Sequence, residues 1–287
     1  LWPGLIDGAA RGGAGPVLVN ARLSAASARG WGWAPWPARA LFGRLALVLA
    51  QDAEGAARFR ALGAPAVEVA GTLKAGAAPP DLPAARAELA AAAAGRPLWL
   101  AASTHPGEER VVAEAHARLA PHRPGLLTLI APRHPERGPE IAAELAERGL
   151  SVTRRAAGEA PGPGTAVHLL DTLGEMGAWL RLAPVCLVGG SLVPAIGGHN
   201  PHEPAALGCA ILRGPHVENF AADYAALGAA APLVGGAGAL AEALARLLSD
   251  EALRAEAAEA ARRALPDGRA ARAATVAALL ARLPGDA

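Results

Sequence analysis

From about residue 95 the chain alternates short apolar runs with longer amphipathic segments, the pattern of parallel strands joined by crossover helices. Residues 98–101, 126–131, 151–153, 167–170, 185–188, 210–212 and 233–234 read as strands. Between them, 108–119, 135–148, 174–182, 201–207 and 237–248 read as helices. Pro135 and Pro201 stand near first turns, where a missing N–H does no harm. Helical patterns at 251–264 and 269–283 close the chain, and the expectation is a doubly wound α/β domain. Upstream, 17–19, 44–50 and 66–69 read as strands and 52–62 as a helix stopped by Gly63. A Pro- and Gly-dense stretch, 75–83, marks the boundary, so the domains expected are 1–80 and 81–287.

Length and charge narrow the function. The chain has 287 residues, more than one ordinary core holds. A net charge of +1 is too even for a surface that neutralises duplex phosphates, which excludes nucleic acid as the expected partner. The charge is unevenly spread, with eight basic and four acidic residues in 1–80 (+4) and therefore −3 in the remainder. The longest strongly apolar run, 45–50, falls far short of the roughly 20 residues that span a bilayer. Cys186 and Cys209, each in an apolar stretch, offer neither a disulfide framework nor a thiolate metal cage, which points to a reducing compartment. Rare residues mark positions of interest: one lysine (Lys74), one glutamine (Gln51) and three asparagines (Asn20, Asn200, Asn219).

In an open parallel sheet, ligands bind beyond the carboxyl ends of the strands, and here those ends are polar. They carry Ser103-Thr104-His105, Pro132-Arg133-His134, Asp171-Thr172-Leu173-Gly174-Glu175, Gly189-Gly190-Ser191 and Gly197-Gly198-His199-Asn200-Pro201-His202-Glu203-Pro204. The glycines would let backbone N–H groups approach an anion, and a helix starting at Asn200 or Pro201 would turn its positive end toward a phosphate. Arg133 supplies a forked cation, and Glu203 can accept two ribose hydroxyl bonds. Together they describe a nucleotide site without a P-loop or a dinucleotide fingerprint. Helix capping is the competing reading of Asp171, Thr172 and Glu175. A metal at His199, His202 and Glu203 is disfavoured, because the spacing fits no zinc helix and Pro201 interrupts it.

Those segments, preceded by Asn20-Ala21-Arg22-Leu23-Ser24, Ala50-Gln51 and Gly71-Thr72-Leu73-Lys74 and followed by Gly214-Pro215-His216, stand in the order seen in 3-deoxy-D-manno-octulosonic acid (Kdo) transferases. The chain resembles that family from Leu1 to about Tyr224. The resemblance implies a GT-B glycosyltransferase with two Rossmann-like domains facing a cleft, the first of them incomplete here. It implies inverting transfer of Kdo from CMP-Kdo to a lipid A precursor in lipopolysaccharide biosynthesis, at the cytoplasmic face of the bacterial inner membrane, without metal or other cofactor. Pro132, Arg133, Leu173, Gly174, Glu175, Asn200, Pro201, His202 and Glu203 would then hold the CMP moiety. Ser103, His105, Gly190, Ser191 and His199 would touch phosphate or sugar, and Lys74 would stabilise the transition state as negative charge grows on the leaving phosphate.

The departures from the family pattern carry expectations too. Leu1-Trp2-Pro3 aligns with the end of Glu-Thr-Glu-Leu-Trp-Pro, so a functional glutamate, the Gly-Ala-Ser-x-Gly-Glu loop bearing the general base, and the family's membrane anchor all fall outside the sequence. Such a chain should bind CMP better than it catalyses. Thr72 replaces a common Asn, Leu173 a Met, and Pro194-Ala195-Ile196 lengthens a turn. Another GT-B transferase using a UDP- or GDP-sugar, or a catalytically dead nucleotide-binding scaffold, are the alternatives. Finally, Trp31-Gly32-Trp33-Ala34-Pro35-Trp36 lies among Arg29, Arg39 and Arg44. Interfacial tryptophans beside cations predict an exposed segment that meets an anionic membrane surface, against the alternative that the rings pack in the core.

Overall fold

The computed structural model describes residues 2–73, 79–265 and 268–283. The chain divides into two compact units, Leu1–Ala77 with Asp267–Ala287, and Ala78–Pro266. The first contains α1 (Pro3–Arg11), β1 (Val17–Ala21), α2 (Ala25–Gly32), α3 (Pro35–Phe42), β2 (Leu47–Ala50), α4 (Ala53–Ala61) and β3 (Val67–Val69). Its three strands form a parallel sheet in the order β1-β2-β3. Local chemistry sets the helix starts: Pro3 and Pro35 stand at first-turn positions, Ser24 Oγ accepts the Ser27 N–H (3.1 Å), and Asp52 Oδ1 accepts the Gly55 N–H (2.5 Å). Phe42, Phe59, Leu45 and Val48 are buried at the centre, with Phe42 and Phe59 edge to face at 5.8 Å.

The second unit contains α5 (Pro83–Ala93), β4 (Leu98–Thr104), α6 (Glu108–Leu119), β5 (Leu127–Pro132), α7 (Gly138–Glu147), β6 (Val152–Arg154), β7 (Val167–Leu169), α8 (Met176–Leu182), β8 (Val185–Val188), α9 (His202–Ala206), β9 (Ala210–Arg213), α10 (Ala221–Leu227), α11 (Ala237–Ser249) and α12 (Glu251–Ala264). All six strands run parallel, in the order β6-β7-β5-β4-β8-β9. β5 is buried along its whole length, as an inner strand covered on both faces must be. One face packs Leu100, Leu129, Trp179 and Ile211; the other packs Trp99, Ile130, Leu187 and Leu244. The chain leaves β4 toward β5 on one side and returns to place β8 on the other, so the topological switch point lies between β4 and β8.

The expected doubly wound domain is there, with three differences. Residues 233–234 form only an isolated bridge from Leu233 to Arg213. The helices α1, α2, α3, α5 and α10 were not expected. α5 is the instructive omission, because its PAARAELAAAA carries almost no apolar stripe, yet alanine is the best helix former. The last helix, α13 (Arg269–Leu280), belongs to the first unit rather than to an 81–287 domain. Ala271 lies against Gly71, and Arg282 Nη2 pairs with Glu68 Oε1 at 3.2 Å. Among the described residues no helix is long and apolar enough to cross a membrane.

Candidate nucleotide site

Two adjoining recesses open in the second unit at the carboxyl ends of its strands. The first, ≈ 180 Å³, is lined by Ala102, Ser103, Met176, Leu180, Val188, His199, Asn200, Glu203 and Pro204. The second, ≈ 130 Å³, is lined by Ser103, Ala131, Pro132, Arg133, Pro135, Leu170, Thr172, Leu173, Gly174, Met176 and Trp179. Ser103 and Met176 belong to both. Ser103 sits at φ +58, in a register break of the β4–β5 pairing between Ala102 and Thr104. A non-glycine residue in that region costs on the order of 1–3 kcal/mol, and here the conformation sets Ser103 at the junction of the recesses.

The site residues named from sequence divide into those that line these recesses and those that do not. Pro132, Arg133, Leu173, Gly174, Asn200, Glu203, Ser103 and His199 do. Arg133 is exposed and makes no ion pair among the described residues. Glu203 faces the first recess with only a long 3.5 Å contact from Asn200 Nδ2, and burial pushes its carboxyl up. His105 joins through His199: the rings lie nearly coplanar, centroids 5.0 Å apart, and meet end to end with Nε2 to Nε2 at 2.7 Å. Burial, then the His105 and Arg133 charges, hold His199 down to about 4; burial likewise lowers His105.

Several expectations need correction. The Gly189-Gly190-Ser191 turn is an anion nest, but the chain fills it itself. Glu108, fully buried at the start of α6, accepts the N–H groups of Gly190 (2.7 Å), Ser191 (3.0 Å), Leu192 (2.8 Å) and His105 (2.9 Å). The Gly190 and Ser191 donors are therefore unavailable to an outside phosphate. Gly190 is required for another reason: at φ +65, a Cβ there would come within 2.9 Å of His199 Cδ2. His202 does not face a recess, since its buried ring bonds Asp223 Oδ1 through Nε2 (3.0 Å). Asn200 Oδ1 accepts the His202 N–H (3.0 Å), so the first donor of the short α9 is already used, and Pro201 is buried beside it.

Asp171 is neither a cap nor a rim group. It is buried, and it accepts Arg154 Nε (2.9 Å), Arg154 Nη2 (2.8 Å) and the Ala156 N–H (2.8 Å). Glu175 precedes α8 without capping it. Burial alone would raise its carboxyl, but Arg155 (2.9 Å) and Thr172 hold it below the usual range. Lys74 lies outside the described residues.

Glu108 had no role in the sequence reading. The signal for it was an acidic pair, Glu108-Glu109, at a helix start immediately after the positive-φ Gly107. Gln51 and Asn20 acquire a use instead in the first unit: the Asn20 carboxamide oxygen accepts Gln51 Nε2 (2.9 Å) and the Leu73 N–H (3.0 Å), tying two strand ends to the loop that precedes Lys74.

Residues 1–77 match the family described as 3-deoxy-D-manno-octulosonic-acid transferase (kdotransferase). The chain is 42% identical to the 3-deoxy-D-manno-octulosonic acid transferase of Bordetella pertussis, over 91% of this chain and 62% of that protein. The Haemophilus influenzae transferase is 35% identical over 77% of this chain and 52% of its own length. The crystal structure of the C-terminal CMP-Kdo binding domain of WaaA from Acinetobacter baumannii superposes with a TM-score of 0.59 at 30% identity, covering 63% of this chain and 96% of that domain. The chain belongs to the Kdo transferase family. It spans between half and two thirds of the length of these two curated relatives. The S. aureus MnaA–UDP co-structure (TM-score 0.60, 16% identical, 98% of this chain and 73% of that one) shows the fold alone, and the fold class is that of GT-B glycosyltransferases.

Proposed function

We propose that this chain serves the transfer of Kdo from CMP-Kdo to a lipid A precursor as an inverting, metal-independent glycosyltransferase, and that its second unit seats the CMP moiety. The carrying observation is the pair of recesses beside the β4/β8 switch point, with a guanidinium unpaired among the described residues on one and an underbonded carboxylate on the other. Arg133 takes the phosphate as a forked donor, and Glu203 accepts the ribose hydroxyls. Pro132, Leu173, Gly174 and Met176 give the base an apolar wall. Lys74, carried over from the family pattern, offsets charge on the departing phosphate. His202 and Glu175 act through what they hold: His202 fixes the turn that presents Glu203, and Glu175 anchors Arg155 behind the second recess.

Calorimetric titration of the 287-residue chain with CMP, UMP and UDP tests the seat. CMP should bind most tightly, and Glu203→Gln should weaken CMP while leaving a 2′,3′-dideoxy analogue nearly unchanged. Preference for UDP would replace the donor with a UDP-sugar; equal losses for both ligands would make Glu203 structural.

We also propose that the first unit meets an anionic bilayer, which supports work on a lipid acceptor. Trp33 and Trp36 are 90% and 86% exposed, whereas Trp31 is half-buried and packs edge-on against Phe42 of the core at 5.3 Å. Sedimentation with anionic vesicles is the check: Trp33→Ser with Trp36→Ser should reduce partitioning, and an unchanged bound fraction rules the contact out.

A further inference from the structure

His105 follows β4 and His199 belongs to the long turn after β8, so the switch point itself brings the two rings together. Gly190, with no side chain, leaves room for the His199 ring, and the Tyr224 hydroxyl donates to the His199 carbonyl at 3.2 Å. Two imidazole nitrogens 2.7 Å apart admit one proton between them and no more, since two lone pairs or two N–H groups would repel. The pair is therefore one titrating unit. In its neutral form one ring donates through Nε2–H and keeps a lone pair on Nδ1, while the other carries its proton on Nδ1. One added proton lands on that free Nδ1, so both outer nitrogens become donors and the pair becomes a monocation.

We propose that the His105–His199 pair is the proton-taking half of an anion receptor whose other half is Arg133, so that a phosphate monoester seated there is bound together with one proton. The proposal rests on the CMP reading above and deepens it.

The neighbours explain why the pair resists a proton. From the end of β5, Arg133 and the edge-on ring of His134 (centroids 5.9 Å from His105) face the pair, and Arg137 stands behind them, tied to the buried Glu109 at 2.9 Å. From α6, Glu108 spends its carboxylate on four backbone N–H groups, among them that of His105. From α9, Glu203 faces the same recess as His199, held only by Asn200. From α10, Tyr224 touches the backbone alone. Cations thus dominate the field at the rings, and burial adds to it. A phosphate between Arg133 and the rings cancels that repulsion and supplies an acceptor for the new N–H, so binding and protonation favour each other.

The experiment is calorimetry of CMP binding at pH 7.5 in buffers of different ionisation enthalpy. At that pH a phosphate monoester, whose second pKa is about 6, is already a dianion and contributes little. The expected result is net uptake of a large fraction of one proton per CMP, with affinity falling by up to about tenfold per pH unit above the pair's bound pKa. His199→Gln should bind CMP more weakly and without uptake. Should that variant fold poorly, His105→Gln, across the same contact, carries the same expectation. CMP binding without uptake in the wild type, or equal uptake in either variant, overturns the proposal. If CMP does not bind, the nucleotide reading fails alone, and imidazole ¹⁵N resonances titrated with inorganic phosphate decide the matter. An upward shift of the pair's pKa in phosphate supports the receptor, and no shift overturns it.

Discussion

Glu108 in its nest and Arg133 on the rim are a few residues past the ends of adjacent strands, yet they stand in opposite conditions. The Gly190–Leu192 nest is closed: its donors point inward and are filled by a carboxylate from the neighbouring helix. Arg133 is open, with no carboxylate paired to it among the described residues and with a recess beside it. Backbone N–H groups turned toward an anion are therefore not in themselves a ligand site. What decides is whether the chain supplies the anion. The closed group should govern stability and the open one binding.

Removing the closed anion has the largest expected effect. Glu108→Ala strands four backbone donors, those of Gly190 and Ser191 buried, and should cost about 3–5 kcal/mol in urea unfolding, with Glu108→Gln intermediate. A loss below about 1 kcal/mol would mean that water fills the nest as well as the carboxylate does. The interior also predicts an acid limb. His168, buried and bonded to Thr153 Oγ1 at 2.9 Å, is pushed from 6.5 down to about 4, chiefly by burial and then by Arg155. Its unfolded form binds the proton first, so its contribution is complete above about pH 6.5 and is lost as pH falls toward 4, about 3 kcal/mol in all. His168→Gln should flatten that limb in unfolding curves at successive pH values; an unchanged slope assigns it to other groups.

The open side should behave in the converse way. Arg133→Ala should weaken CMP by about 1.5–3 kcal/mol in calorimetry while moving the unfolding midpoint little. Unchanged affinity would remove Arg133 from ground-state binding. The smallest effect belongs to the exposed rings: Trp33→Ser with Trp36→Ser should change stability by no more than about 0.5 kcal/mol. A large loss would mean that those rings are packed in solution.

Much of this was legible in the sequence because it depends on pattern. The six parallel strands announced themselves as apolar runs, and α6 fell on the residues that periodicity gave it, 108–119. Arg133 and Glu203 were found because strand ends in such sheets face ligands. What stayed hidden depends on partners distant in sequence. Nothing near Gly190 says that Glu108, eighty-two residues earlier, occupies it. Nothing near His202 names Asp223. Asp171 looked like a cap because a cap is local, whereas its true partners are Arg154 and Ala156 on the neighbouring strand and turn. Rarity proved a sound guide to the asparagines: Asn20, Asn200 and Asn219 each hold a turn through the side-chain amide, a bond that alanine or arginine could not copy.

The placement of α13 has a consequence for synthesis. Arg282 and Glu68, which pair within the first unit, are 214 positions apart along the chain. On a ribosome working from the amino end, β1, β2 and β3 emerge early but must wait for the whole second unit to pass before α13 arrives. The second unit, continuous in sequence, can fold while the first is still unfinished. The order of completion is thus the reverse of the order of emergence, and a break in translation between α12 and α13 would leave the second unit whole and the first short of a helix.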